Sequence, residues 1–371
     1  MRRRIYYISH HIKNPERTTN MSYTRGMAAI NLEMPDCVPR TEYSAEFHWE
    51  LINKVTGTNI TDSSSHAERA AASKAFMNAW DYGMVWNVLT HSQIFGDKRT
   101  SMGHAVYQAG GTDFSDNISY LFKNPEDVYS YDMYEAYGTR DTAALTAEYD
   151  SNFDYWAAGV DAVPMTGIYV TLMSGLIELL GWDTLLEAAA IDSDAFGAFT
   201  DRYTDWILQY FNALARCKSP VVMIHDDIVW GNGPFMHPDF YRKFIFPNYK
   251  KLFCPLHEAK KKILFTSDGD YTMFVDDVAD CGVNGFVLEP TTDMAYIAEK
   301  YGKTHAFVGN AETKILLEGD KAAIEKEVRR CMDIGKNCAG FFMAVGNHIP
   351  PNTPVDNALY YDEIYRKLAK R

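Results

Sequence analysis

ILFTSDGD, residues 263–270, passes from an apolar run to two carboxylates, Asp268 and Asp270, within a few positions. Such a change marks the place where a buried segment reaches water or a ligand. Read outward from it, the chain repeats the pattern. Short runs rich in β-branched and apolar residues alternate with longer amphipathic stretches, as parallel strands alternate with crossover helices. About eight candidate strands emerge: residues 37–43, 84–91, 161–166, 220–227, 262–267, 285–290, 304–309 and 340–346. Helical signals fill the gaps. After PVVMIHDD comes a stretch with Pro238 near its first turn and Phe240, Tyr241 and Phe244 at helical spacing, and residues 320–336 carry Ile324, Val328 and Met332 at intervals of four. This alternation predicts an α/β fold, a (β/α)8 TIM barrel, which needs only about 250 residues. The surplus is assigned to an N-terminal extension, residues 1–20, and to a large insertion after the second strand, residues 92–160. Residues 21–371 are read as one domain.

Composition narrows the function. A formal net charge of -13 and a pI near 5.3 argue against nucleic acid as a partner, since phosphate backbones are bound by basic surfaces. The six cysteines, at 37, 217, 254, 281, 331 and 338, form no CxxC pair, and their scatter fits reduced thiols better than a disulfide framework or a finger-type zinc site. The basic start MRRRIYYISHHIKNPERTTN lacks the apolar core of a signal peptide. The most lipid-like stretch, residues 163–182, contains Pro164, Gly167, Gly175 and Glu178; a strand, a loop and a buried helix account for it better than a membrane span. A cytoplasmic protein without a membrane partner is expected, as a monomer or small homo-oligomer.

In a barrel of this kind the active site lies at the C-terminal ends of the strands. Those ends collect chemically capable residues: Glu42 and Tyr43 on the first, His91 on the second, His225, Asp226 and Asp227 on the fourth, Ser267 and Asp268 on the fifth, Glu289 on the sixth. Asn310 follows the seventh, and Asn347 and His348 the eighth. Strand ends are also polar merely because they meet solvent, but that does not explain so consistent a set. Two positions carry a structural alternative: Asp270 is placed to cap a following helix, and Asp226, next to Asp227, faces the other side of its strand. Trp86, Trp230, Tyr43 and Tyr169 lie near predicted strand ends, where rings can wall a pocket or simply pack the core.

Four segments resemble the uroporphyrinogen decarboxylase superfamily: GMAAINLEMPDCVPRTEY, HDDIVWGNGPFMHPDFYRKFIFPNYKKL, SDGD, and GNAETKILLEGDKAAIEKEVRRCMDIGK leading to FMAVGNHIPPNTPVDN. With the weaker TLMSGLIE they span residues 26–357. The resemblance implies the same barrel. It also poses a choice between porphyrinogen decarboxylases and methyltransferases that pass methyl groups to or from a corrinoid. The decarboxylases hold a polycarboxylate tetrapyrrole with two arginines after the first strand; here Arg40 stands alone beside Glu42. Their Tyr and His positions are matched by Gly175 and Asn347, and their catalytic Asp by Ser92 or a neighbour. The thiol methyltransferases bind zinc through His-x-Cys after the fifth strand and a Cys after the eighth, and neither cysteine is present here. An oxygen- and nitrogen-rich site remains.

The expected function is therefore a methyltransferase component that demethylates a small methylated compound, a methoxylated aromatic (O-demethylation) or a methylamine-like donor, and passes the methyl group to a corrinoid protein. Asp227, His348, Asp268 and Glu289 are expected to be catalytic. Glu42, Tyr43, His91, His225, Trp230, Ser267, Asp270, Asn310 and Asn347 are expected to bind substrate. No tightly bound organic cofactor is expected, the corrinoid being carried by a partner protein; zinc is left open, with His225, Asp227, Asp268, Glu289 and His348 as its candidate ligands. The alternatives are a decarboxylase of altered substrate specificity and a ligand-binding barrel without catalysis.

Overall fold

The computed structural model describes residues 21–101, 107–108, 111–112 and 118–371; the extension assigned to residues 1–20 lies outside them. Six parallel strands form one continuous sheet: Thr166–Ile168, Val221–His225, Lys262–Thr266, Gly285–Val287, Ala306–Val308 and Phe341–Phe342. The remaining two close it. Residues 39–43 bridge in parallel to Met343 on one side and to Tyr82 on the other, while Met84–Val85 pairs in parallel with Val163–Pro164 and Thr90 bridges Ile168. Eight parallel strands thus close on themselves in chain order, and each falls within or beside its predicted span. They are referred to below as the first to the eighth strand.

Closure explains why the strands read as nearly continuous apolar runs rather than alternating ones. Helices cover the outside and side chains fill the inside, so every residue of Val221–His225 is buried. The helix Ser193–Arg216 shows the outer layer's logic. Its buried positions, among them Phe196, Phe199, Tyr203, Trp206, Tyr210 and Leu214, recur every three or four residues, and Asp192 caps its start by accepting from the Asp194 and Ala195 amides. Residues 163–180 form strand, loop and the fully buried helix Met173–Leu180, as read from the sequence. Among the described residues no helix is long and apolar enough to cross a membrane, and all six cysteines are free. Within 92–160 the described residues form the helix Thr142–Ala157, shorter helical turns and a short antiparallel pair, Tyr107–Gln108 with Gly111–Thr112.

The C-terminal helix Val355–Leu368 fastens the first strand to the barrel. Tyr365 donates to the Val38 carbonyl at 2.8 Å, Tyr361 donates to Glu42 at 2.8 Å, and Asp362 pairs with Arg40 at 2.5 Å.

Candidate active site

The fourth strand ends in His225-Asp226-Asp227, and strand alternation sends these neighbours to opposite sides. Asp226 is completely buried beneath the outer helices. One of its carboxylate oxygens accepts from the Leu172 and Ser174 amides at 3.1 and 2.7 Å, and the other accepts from Met173 at 3.0 Å and from the Tyr249 hydroxyl. These are amides at the start of the helix Met173–Leu180, which its own N-cap residue Leu172 leaves without a side-chain acceptor. Burial pushes the Asp226 carboxyl up to about 6, against the pull of those hydrogen bonds. Asp226 is a helix cap supplied from a distance.

His225 and Asp227 turn inward. His225 Nε2 lies 3.4 Å from Asp227 Oδ1, and the same oxygen accepts from the Asp268 amide at 2.9 Å. Ser174 completes the anchoring by accepting from the Asp227 amide at 2.7 Å. The fifth strand brings Asp268 beside them through the sharp SDGD turn. Gly269 has φ +80, and a Cβ there would stand 2.3 Å from the Trp230 carbonyl oxygen, so only glycine allows this approach. The Gly269 amide donates to Glu289 at 2.8 Å, and the Asn347 side-chain amide donates to the other Glu289 oxygen. Burial raises the Glu289 pKa; the two donors oppose the rise, and the charges of Asp227 and Glu312 add to it.

These residues border a cavity of about 50 Å3 at the C-terminal mouth of the barrel, with Tyr43, Trp86 and Tyr169 among its rings and His225, Thr266, Asp268, Glu289, Asn347 and His348 among its polar groups. Among the described residues, no Lys or Arg lines it. The Tyr43 hydroxyl and Thr266 Oγ1 are buried in the wall without a hydrogen-bond partner among the described residues. The Tyr169 ring stacks on His225 at 4.0 Å and on His91 at 4.9 Å. His348 Nδ1 lies 2.6 Å from Ser44 Oγ, and burial lowers the imidazole's pKa, so it is neutral near pH 7.

The mouth thus gathers Asp268, Glu289, His225, His348, Tyr43, Ser267 and Asn347, with Asp227 bonded behind them. Other expected site residues go elsewhere. Glu42, expected to bind substrate, is fully buried, bonded to Arg40, to the Tyr361 hydroxyl and to the Val345 amide, and is not among the residues that line the cavity. Asp270 bonds the Thr272 amide and hydroxyl at 3.0 and 2.6 Å and caps the turn that follows, the structural alternative raised by its position. Asn310 spans the Glu289 and Thr292 carbonyls and receives Arg330, away from the cavity. Trp230 is exposed on the rim against Trp182 and Phe235. His91 reaches the mouth only through Tyr169.

Ser44, Ser174 and Thr266 were missed, because a lone hydroxyl residue carries no spacing signal. Ser44 had one legible feature. A serine preceding the turn Ala45–Phe47 would ordinarily cap it, yet its side chain makes no cap bond there and turns to His348 instead.

One ligand atom from each of His225, Asp227 and Asp268 lies within 4.8 Å of the others. This is an oxygen and nitrogen set suited to a divalent cation. A thiolate zinc site of the kind implied by the resemblance does not fit, because no cysteine lines the cavity.

A family model described as uroporphyrinogen decarboxylase (URO-D) matches residues 158–367, more than half of the chain. Curated relatives include the uroporphyrinogen decarboxylase of Geobacter metallireducens, 25% identical over 218 residues covering 58% of this chain and 62% of that protein. That of Pelobacter propionicus is 25% identical over 177 residues, covering 48% and 50%. The chain therefore spans about half to three fifths of the length of these relatives. Among solved structures, a methyltransferase from Methanosarcina mazei superposes with a TM-score of 0.63 at 18% identity, covering 93% of this chain and 98% of that one; at that identity the likeness is one of fold.

Proposed function

Because the chain belongs to the uroporphyrinogen decarboxylase family, we propose on the character of its cavity that it works in the family's methyl-transfer chemistry, demethylating a small methylated compound and delivering the methyl group to a corrinoid protein. The observation that carries this reading is the mouth itself: carboxylates, imidazoles and rings around about 50 Å3, with no Lys or Arg in the lining among the described residues. A tetrapyrrole bearing many carboxylates needs cationic clamps and far more room. The one arginine at the place where such a clamp is expected, Arg40, is fully buried, paired with Glu42 and Asp362, and stacked between Trp80 and Tyr365 at 4.3 and 4.5 Å.

In this reading the reduced cobalt of the partner's corrinoid accepts the methyl group, and the barrel's own residues bind the donor and ease departure of the leaving group. Tyr43 and Thr266 offer hydroxyls to the donor's polar atom. Glu289, whose proton affinity burial and the Asp227 charge both raise, is suited to hold a proton at the leaving atom, a role that contributes about 10²- to 10⁴-fold. Ser44 holds the neutral His348 by Nδ1, which leaves Nε2 as its other exchangeable site. A divalent cation, held by His225, Asp227 and Asp268, would supply Lewis acidity there. The partner would approach over the C-terminal face, where the cavity opens.

The test is a spectroscopic assay for methylated corrinoid with chain, donor and corrinoid protein mixed. Methylation requiring all three components is expected. The curated relatives are named decarboxylases, so a decarboxylase of altered specificity is the second reading, and carbon dioxide release without corrinoid methylation would establish it in place of the first.

A further inference from the structure

We infer that the methyl donor is a small protonated amine, an N-methyl compound rather than an O-methyl one. The inference rests on the methyl-transfer reading and names its substrate class. Three features of the cavity converge on it. First, Asp268 and Glu289 line the wall and Asp227 is bonded directly behind Asp268, while no Lys or Arg lines it. The mouth therefore attracts positive charge and repels a carboxylated donor.

Second, the hydroxyls of Tyr43 and Thr266 are buried in the same wall without a partner among the described residues, and Tyr43 is only 8% exposed. A buried hydroxyl left unanswered is costly, so a ligand that enters must bond it. An ammonium N–H does so, because a hydroxyl oxygen accepts; an ether oxygen would engage the hydroxyl hydrogens but draw no charge attraction from the acidic wall. Third, the space of about 50 Å3 holds roughly three to five water-sized groups, the size of a methylated amine and too small for a substituted aromatic ring to enter fully. Stacking also matters here. Tyr169 already stacks on His91 and His225, so two imidazoles compete with a quaternary cation for this ring, and hydrogen-bonded N–H recognition is favoured over a cage of rings.

The chemistry balances with the proton that the ammonium brings and shares with Glu289. The C–N bond breaks and its electron pair goes to nitrogen; the proton already on nitrogen stays, so a neutral amine leaves. The new bond to the methyl carbon takes its pair from the reduced corrinoid of the partner protein. The carboxylates keep the amine protonated before transfer, which is the activation that an ether would need from a general acid.

Binding alone tests this, with protein dialysed against a chelator and Trp86, in the cavity wall, as one fluorescent reporter beside calorimetry. Dimethylammonium should bind at least about tenfold more tightly than isopropanol, its neutral counterpart in size, and acetate should not compete. Asp268→Asn and Glu289→Gln should each weaken dimethylammonium several-fold and leave isopropanol unchanged, and Tyr43→Phe should weaken it without lowering the melting temperature. Equal binding of isopropanol, or undiminished dimethylammonium affinity in the Asp268→Asn/Glu289→Gln double variant, would overturn the inference. Corrinoid methylation from a methoxylated aromatic with no amine binding would also overturn it, while leaving the methyl-transfer reading intact. Amine binding without methylation of any corrinoid acceptor would remove the donor role together with that reading.

Discussion

Two clusters of carboxylates lie on the strands of this barrel and differ in what surrounds them. At the end of the first strand, Glu42 and Asp362 surround Arg40, and each is answered: Arg40 bonds both, Tyr361 and the Val345 amide complete Glu42, and aromatic rings seal the group from water. At the ends of the fourth to sixth strands, Asp227, Asp268 and Glu289 converge, and among the described residues no arginine or lysine lines the cavity and two wall hydroxyls have no hydrogen-bond partner. A buried charge is tolerable only when paired, or when a ligand completes it. The first cluster is therefore closed by its own partners, and the second, whose Asp268 is exposed, is the site proposed above.

The sharpest way to break the comparison is to open the closed cluster. Arg40→Met should cost about 3–5 kcal/mol of stability, read from the denaturant midpoint, because it strands Glu42 in the interior. The double variant Arg40→Met/Glu42→Gln should recover part of that loss; no recovery would mean that Arg40 acts by packing alone.

Glu46 tests a carboxylate that belongs to neither cluster. It is buried, its Oε2 has no partner among the described residues, and burial pushes its pKa up to about 7. A folded pKa above the unfolded value means stability that is fully present below about pH 4.5 and lost as pH rises through 7. Glu46→Gln should therefore be more stable than wild type at pH 8, by at most about 3 kcal/mol, and nearly equal to it below pH 4.5. Asp226, pushed up to about 6, contributes with the same sign to both proteins, so the difference between them isolates Glu46. A difference independent of pH would contradict the assignment.

In the open cluster, Asp227→Asn and His348→Gln should each slow corrinoid methylation about 100-fold or more while the melting temperature stays near wild type. Wild-type turnover in both folded variants would sink the proposed site. The smallest effect on turnover is expected one residue away. Asp226→Asn should lose about 1–3 kcal/mol of stability by turning an amide group toward backbone donors, with turnover per folded molecule little changed. A large loss of turnover at full stability would erase the distinction between the two neighbours.

The eight strands were legible in the sequence because each is buried on both faces and so reads as an apolar run, and because the chain alternates them with helical periodicity throughout. Asp268, Glu289, His225 and His348 were legible for a related reason: the fold obliges the strand ends to meet at one mouth. Asp226 and Asp270 carried their structural alternatives already, from strand alternation and helix-start position. The rest was not. Glu42 and Asp268 are both acidic residues at strand ends, and nothing local distinguishes them. Glu42 becomes structural only because Arg40 lies two residues before it and because a helix more than 300 residues later brings Tyr361 and Asp362 to the same point.

Composition and periodicity thus determined the barrel and the end at which chemistry gathers, since both follow from local patterns of burial. Only the tertiary structure decided which carboxylates are satisfied and which face the cavity, that Ser44 serves His348 rather than its own helix turn, and that the mouth is small and without lysine or arginine. Those properties depend on which distant side chains arrive at each strand end. Hydrogen-bond satisfaction and local charge belong to such neighbourhoods, and the order of residues along the chain does not encode them.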